Sequence, residues 1–278
     1  LTELVLDGEV TNTQREYLST VLASGESLLS LVNDILDLSK IEADAVALEK
    51  TVVNLHELVF SVMRSMATQA HVKELELLCS NDAGVPDFIC GDKTRLQQIL
   101  INLIGNAIKF TQQGEVELII ESSVTEANES AISFVVRDTG IGIAQEKQKT
   151  IFSEFEQADA STTRQFGGTG LGLSIVSRLV DLMNGTILID SVVGKGSKIG
   201  FSLSETCYGT GAENNVSATG GLASAYELGH LEAESSLVGT CVMLIDGNLR
   251  HQQIFADWVT RFGGSVVVAS AVSEVAGQ

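Results

Sequence analysis

The chain has 278 residues, 44% of them hydrophobic, and sets 17 lysines and arginines against 36 aspartates and glutamates, a formal net charge of −19. That length exceeds one ordinary core and predicts more than one folded unit, while the charge disfavours a nucleic-acid backbone or an anionic membrane surface as partner. Cys79, Cys90, Cys207 and Cys241 show no C-x-x-C spacing and do not cluster with the histidines, so free thiols in a reducing, cytoplasmic compartment are expected, not a metal–thiolate site. No apolar run approaches the about 18 residues of a membrane-spanning helix, and the first residues lack a basic leader, so neither a spanning segment nor a signal peptide is expected.

In chain order, Leu1–Leu6 reads as the end of a helix, Asp7-Gly8 as its break, and Thr11 through Gln14 as a Thr-x-x-Gln capping box that opens the next helix. Leu18, Val21, Leu22, Leu28, Leu29, Val32, Ile35, Leu36 and Ile41 then recur at spacings of three and four, a stripe too long and apolar for an isolated helix. Residues 1–49 are therefore expected to be a helical hairpin that needs a bundle around it. Over 52–90 the pattern predicts a strand, a helix from Leu55 to Ala70, and extended pieces at Leu75–Asn81 and Asp87–Gly91 that begin a mixed sheet.

Asp92–Thr111, DKTRLQQILINLIGNAIKFT, is an apolar-periodic helix with asparagines in its interior, where their amides compete for backbone hydrogen bonds. Asn102, Asn106 and Lys109 share one face and span roughly 10 Å at about 1.5 Å rise per residue, about the length of a triphosphate. A solvated amide stripe is the plainer alternative. Gly114–Ser122 and Ala131–Arg137 read as strands around a turn at Glu126–Glu129. Asp138 follows the second strand, half buried and in need of a donor, which the exocyclic amine of adenine would supply and guanine would not; a turn-capping aspartate before Thr-Gly is the alternative.

Phe166–Ser174, FGGTGLGLS, runs a glycine-rich loop into an apolar helix spanning Gly172–Met183. Glycine allows close backbone approach, and free amides at a helix start attract an anion such as phosphate; a flexible turn with a helix cap is the other reading. The spacing is neither G-x-x-x-x-G-K-[ST] nor the dinucleotide pattern, which needs a preceding strand. Thr186–Ser191 and Gly200–Ser204 predict a closing hairpin, giving one sheet covered by helices on one face. Residues 208–236, rich in Gly, Ala, Ser, Asn and Glu, read as a flexible acidic linker, and Thr240–Asp246, a helix through Trp258, and Ser265–Ser270 predict a β-α-β unit.

Asn102 and Asn106, DTGIGI at 138–143, FSEFEQ at 152–157 and GGTGLGL at 167–173 resemble, in order and interval, the N, first glycine, F and second glycine boxes of sensor histidine kinases, members of the GHKL ATP-binding superfamily. The resemblance covers residues 50–207 and the helical segment before them. It implies an α+β protein: a dimerisation and phosphotransfer hairpin (1–49), an α/β sandwich ATP-binding domain (50–207), a linker (208–236) and the start of a flavodoxin-like receiver domain (237–278). It also implies that ATP and Mg²⁺ are the ligands, with Asn106 on the metal, Asn102 beside it, Lys109 on phosphate and Asp138 on adenine. Phe110, Gly140, Gly142, Gly168, Thr169, Gly170, Leu171 and Gly172 would complete the nucleotide site. Arg164 and the lid from Gly167 to Gly172 would close over the triphosphate, with Phe152 and Phe155 anchoring the lid. Implied partners are a second copy through the hairpin, and a receiver domain in cis or a separate response regulator or phosphotransfer protein.

The family's phosphoacceptor histidine, in a His-Glu-x-Arg-x-Pro context, is not among His56, His71, His230 and His251, and is expected upstream of Leu1. A chain that binds ATP without labelling itself is the expected consequence, in a parent that other segments can anchor to a membrane. Residues 237–278 are too few for a complete receiver, given that small domains take about 100–150 residues, and Asp246-Gly247 stands where the family has two acidic residues. Three functions are then open: γ-phosphoryl transfer to histidine, an ATP-binding regulatory module without transfer, and an ATPase of the gyrase or chaperone type. The last is expected to be slow, since Asn102 replaces the glutamate base of those enzymes and an amide cannot take a proton from water.

Overall fold

The structure is a computed structural model that describes residues 2–6, 8, 10–42, 47–82, 84–124, 130–153, 170–204 and 237–270. Helix α1 (Thr2–Leu6) breaks at Gly8, whose amide donates to the Val5 carbonyl at 3.1 Å, and α2 runs Asn12–Glu42. The capping box forms as the sequence predicts: the Thr11 amide donates to Gln14 Oε1 at 2.9 Å and the Gln14 amide to Thr11 Oγ1 at 3.3 Å. Tyr17, Val21, Leu28, Leu29, Val32, Ile35 and Leu36 leave α2 with an exposed apolar stripe.

Strand β1 (Thr51–Asn54) runs into α3 (Leu55–Val72), which Asn54 caps by accepting the Glu57 amide at 3.1 Å. After β2 (Glu76–Asn81) and β3 (Phe88–Gly91), Asp92 accepts the Arg95 amide and starts α4 (Lys93–Phe110). Then come β4 (Glu115–Val124), β5 (Ser130–Asp138), α5 (Gly172–Leu182), β6 (Thr186–Val192) and β7 (Gly196–Ser204). The main sheet has five strands in the order β2-β4-β5-β7-β6, with β2 parallel to β4 and the other pairs antiparallel.

Two expectations are corrected. β1 and β3 do not join the mixed sheet but form their own antiparallel ladder, Thr51↔Gly91 to Asn54↔Phe88. Each is four residues long and ends at a helix cap, which leaves no length to reach the main sheet. β7 begins at Gly196, four residues before Gly200, because β6 and β7 close through the short turn 193–195 with Val192 opposite Gly196. Asp138 is correspondingly the last residue of β5, paired with Ser197.

Alternation fixes the core. Val116, Leu118 and Ile120 of β4, Ile132, Phe134 and Val136 of β5, and Phe201 and Leu203 of β7 meet the apolar faces of α3, α4 and α5 in one cluster. Phe134 and Phe201 stack there with ring centroids 5.0 Å apart. The helices α3, α4 and α5 cover that face as expected. The strand–helix–strand order expected after residue 236 also forms: β8 (Cys241–Ile245), α6 (Leu249–Arg261) and β9 (Ser265–Ala269), with β8 and β9 parallel. The turn at 126–129, most of the glycine-rich lid and the segment 208–236 lie outside the described residues.

Candidate functional site

The site is built on the last two turns of α4. Leu96, Ile99, Leu100, Leu103, Ile104, Ala107 and Ile108 are buried on its inner face, which leaves Lys109 half-buried along the helix from two half-buried asparagines, Asn102 and Asn106, that meet the start of α5. Gly172, the first residue of α5, stands against them: a Cβ added to it would lie 3.4 Å from Asn102 Oδ1 and 3.8 Å from Asn106 Nδ2. Leu171, at the cap position, is buried and makes no side-chain cap hydrogen bond to the first turn of α5. Gly170, just before it, has φ +75°. Ser174 donates from its hydroxyl to the Leu171 carbonyl at 2.8 Å and holds the first turn closed.

Lys109 Nζ lies 4.8 Å from the Phe110 ring centroid. Its pKa falls below the ordinary lysine value through burial first and the neighbouring Lys73 charge second. The Lys73 ammonium donates to the carbonyls of Ile108 at 2.7 Å and Lys109 at 2.8 Å, so it caps the C-terminal end of α4.

Asp138 closes the other side. It is 9% exposed, and burial pushes its carboxyl above the ordinary aspartate value against the opposing pull of hydrogen bonds from the Gly140 amide, from the Ser197 amide and hydroxyl, and of the Arg137 charge. The Gly140 amide reaches Asp138 Oδ1 at 2.8 Å. The turn that follows folds back on α4: the Ile141 amide donates to the Phe110 carbonyl at 3.4 Å, and a Cβ on Gly140 would stand 2.5 Å from that same oxygen. Gly142 has φ +69°, and a Cβ there would lie 2.1 Å from the Val192 carbonyl, so only glycine fits between this turn and the β6–β7 hairpin.

The hairpin grips the turn from outside. Ser191 Oγ accepts the Ile143 amide at 2.8 Å and pairs with Ser197 Oγ at 3.0 Å, while Gln148 Nε2 donates to the carbonyls of Ser191 and Ile143. Sequence reasoning missed Ser191, Ser197, Gln148 and Lys73; the signal that was present for Ser197 is the Gly-Lys-Gly-Ser run at 194–197, which marks a tight turn entering a strand.

The structure thus gathers Asn102, Asn106, Lys109, Phe110, Asp138, Gly140, Gly142, Gly170, Leu171 and Gly172 around the joint of α4, α5 and the 138–143 turn. Phe152 is half-buried; Arg164, Gly168, Thr169 and Phe155 lie outside the described residues. Among the described residues, no group of three or more His, Cys, Asp and Glu side chains is placed to hold a metal, and no helix is long and apolar enough to cross a membrane.

Known protein families match both the helical segment and the sheet domain. Residues 91–206 match the family described as histidine kinase-, DNA gyrase B-, and HSP90-like ATPase, and residues 1–44 match the His Kinase A (phospho-acceptor) domain. Over 202 residues, 73% of the chain, it is 43% identical to the signal transduction histidine-protein kinase BarA of Escherichia coli K12, of which it spans 22%. The crystal structure of full-length ShkA in complex with AMPPNP is similar over 100% of this chain and 53% of that one, with TM-score 0.73 and 29% identity. Histidine kinase ThkA, in its complex with the response regulator TrrA, is similar over 72% of this chain and 54% of its own, with TM-score 0.55 and 25% identity. The chain spans about a fifth of the length of BarA (22%), and by these matches it belongs to the sensor histidine kinases of the GHKL superfamily.

Proposed function

We propose that the chain binds Mg-ATP and forms the catalytic core of a hybrid sensor histidine kinase, passing the γ-phosphoryl group to a histidine on the phosphotransfer hairpin. The observation that carries this reading is the approach of Gly172 to Asn102 and Asn106, which brings the start of α5, to which Leu171 makes no side-chain cap bond, against an amide-lined helix face. That joint fits an anion bound through a divalent cation. Amide oxygens are hard donors suited to Mg²⁺, and the bare Gly172 leaves the room that a Cβ would fill. Asn106, with Asn102 beside it, would hold the ion, which when bound neutralises charge on the transferring phosphoryl oxygens.

In this reading Asp138 accepts from the adenine amine while Ser197 and Gly140 fix the carboxylate's orientation. With the Gly140 amide and the Ser197 amide and hydroxyl already bonded to it, the carboxylate keeps acceptor capacity for one more donor, which favours an amine-bearing base. Lys109 and the α5 amides face the phosphates, and Arg164, Gly168 and Thr169 belong to the lid. Transfer breaks the bond between the γ-phosphorus and the ADP oxygen and forms one to the unprotonated nitrogen of an imidazole, and the proton on the other ring nitrogen is released. Asn102 has no basic function at neutral pH, so water is a poor competitor.

The exposed stripe of α2 would pair with a second copy, and a response regulator, phosphotransfer protein or receiver domain would take the phosphoryl group on the cytoplasmic side. Residues 237–278 would be the start of such a receiver. The test is labelling with γ-labelled ATP of a phosphotransfer hairpin carrying the His-Glu-x-Arg-x-Pro context, supplied in trans or as an N-terminal extension. Acid-labile phosphohistidine that needs both Mg²⁺ and Asp138 is expected; tight ATP binding with no label would leave a regulatory ATP-binding module instead.

A further inference from the structure

The face of the main sheet turned away from the core carries an ion cluster that spans two parts of the chain. Val116, Leu118 and Ile120 point into the core, so Glu117 points out of the opposite face. It lies across the ladder from Arg137 and beside Ser80, whose hydroxyl donates to Oε1 at 2.8 Å. Such a face is ordinarily wet, yet the Glu117 side chain is 0% exposed, and Leu78, its register partner on β2, is buried outside the main core.

The cover comes from α6. Arg250 sets Nε 3.0 Å from Glu117 Oε1 and 3.1 Å from Oε2, with Nη2 2.6 Å from Oε1. At the other end of the helix, Arg261 Nη2 donates to the Asn81 carbonyl at 2.5 Å, so both ends of α6 are fixed to the outer face. Arg137 reaches the same carboxylate, Nε and Nη2 lying 3.0 and 2.9 Å from Oε2, and also bonds Glu115. Burial pushes the Glu117 carboxyl up, but Arg250, Ser80 and Arg137 together hold it below the ordinary glutamate value.

Glu117 therefore has one guanidinium partner from its own sheet and a second from α6. A buried carboxylate with a single partner is stranded when that partner leaves, a heavily penalised state; one with two is not. Among the described residues of the 237–270 unit, Gln252, Val259 and Ala269 are buried.

We propose that the outer face at Leu78, Ser80, Glu117 and Arg137 is a docking surface for the chain's own 237–270 unit. Arg250 is its releasable latch, and Arg137 keeps the Glu117 charge paired when the latch opens. The test is amide hydrogen exchange on the full chain, with solution scattering for overall size. Arg250→Glu sets a carboxylate against Glu117; α6 and β8 amides are expected to exchange at least about tenfold faster, with a larger radius of gyration, while β4 and β5 keep their protection. Arg250→Gln, which adds no repulsion, should give a smaller acceleration in the same segments. Adding Arg137→Gln to Arg250→Glu should strip protection from β4 and β5 by more than the two single changes combined. Unchanged α6 protection in Arg250→Glu would overturn the latch. Loss of β4 and β5 protection in that single variant would overturn release, making the cluster an ordinary structural pair.

Discussion

Gly172 opens α5 directly against Asn102, with only 3.4 Å between the amide oxygen and the place a Cβ would occupy. Two helices distant in sequence thereby share one wall, α4 offering side-chain amides and α5 its N-terminal turn. The proposed phosphate position depends on that narrow approach.

Gly172→Ala separates folding from binding. Alanine suits a helix better than glycine by about 0.5–1 kcal/mol and meets only ordinary contacts here, so the melting temperature should hold or rise. A methyl group on the wall of a ligand site costs about 1–3 kcal/mol, so calorimetry should show weaker Mg-ATP binding. Unchanged affinity in a stable variant would remove the start of α5 from the site.

Asp138→Asn should behave in the same divided way for a different reason. Because burial raises the folded-state pKa, this carboxyl's contribution to stability is full below the ordinary aspartate value near 3.8 and is lost as pH rises through the raised value. The amide has no such term. The variant should be at least as stable at neutral pH, with a flatter stability profile across the acidic range, while adenine nucleotides bind about 1–3 kcal/mol more weakly for loss of a charged hydrogen bond. Affinity within twofold of the parent would sink the adenine assignment.

Ser197→Ala tests the residue that holds the Asp138 carboxylate from the neighbouring strand. Its hydroxyl is one of the donors that oppose burial there and also meets Ser191 Oγ at 3.0 Å. Removing it should push the Asp138 pKa further up and weaken ATP by about 0.5–1.5 kcal/mol, the net worth of one hydrogen bond. Titration of the Asp138 side chain by NMR would follow the first effect; a downward shift would contradict the geometry.

What the sequence made legible, and what it hid, follows from separation along the chain. Asn102, Asn106 and Lys109 could be grouped because helical periodicity is local, and Asp138 stood out because a strand ends there and a glycine turn follows. Ser197 could not be tied to Asp138, since only the β5–β7 register brings them together. Glu117 reads as an ordinary polar residue of an alternating strand; its partner Arg250 lies 133 residues away and meets it through a docking that no local pattern encodes. The separate β1–β3 ladder was missed because four-residue strands carry a pattern too short to say which sheet they enter.

Asn106→Ala addresses the metal. The side chain is half-buried on α4, and alanine is the better helix former by up to about 0.7 kcal/mol, so the fold should not suffer. The proposed role is an oxygen ligand to Mg²⁺, and the base is held elsewhere, at Asp138. Calorimetry with Mg²⁺ and with a chelator should therefore show two components in the parent, a metal-dependent gain in ATP affinity and a metal-free remainder. The variant is expected to lose the gain and keep the remainder within about twofold, whereas Asp138→Asn should lower both. If Asn106→Ala retained the full metal-dependent gain, the ion would be held by other residues, and the amide face of α4 would serve to orient α5 alone.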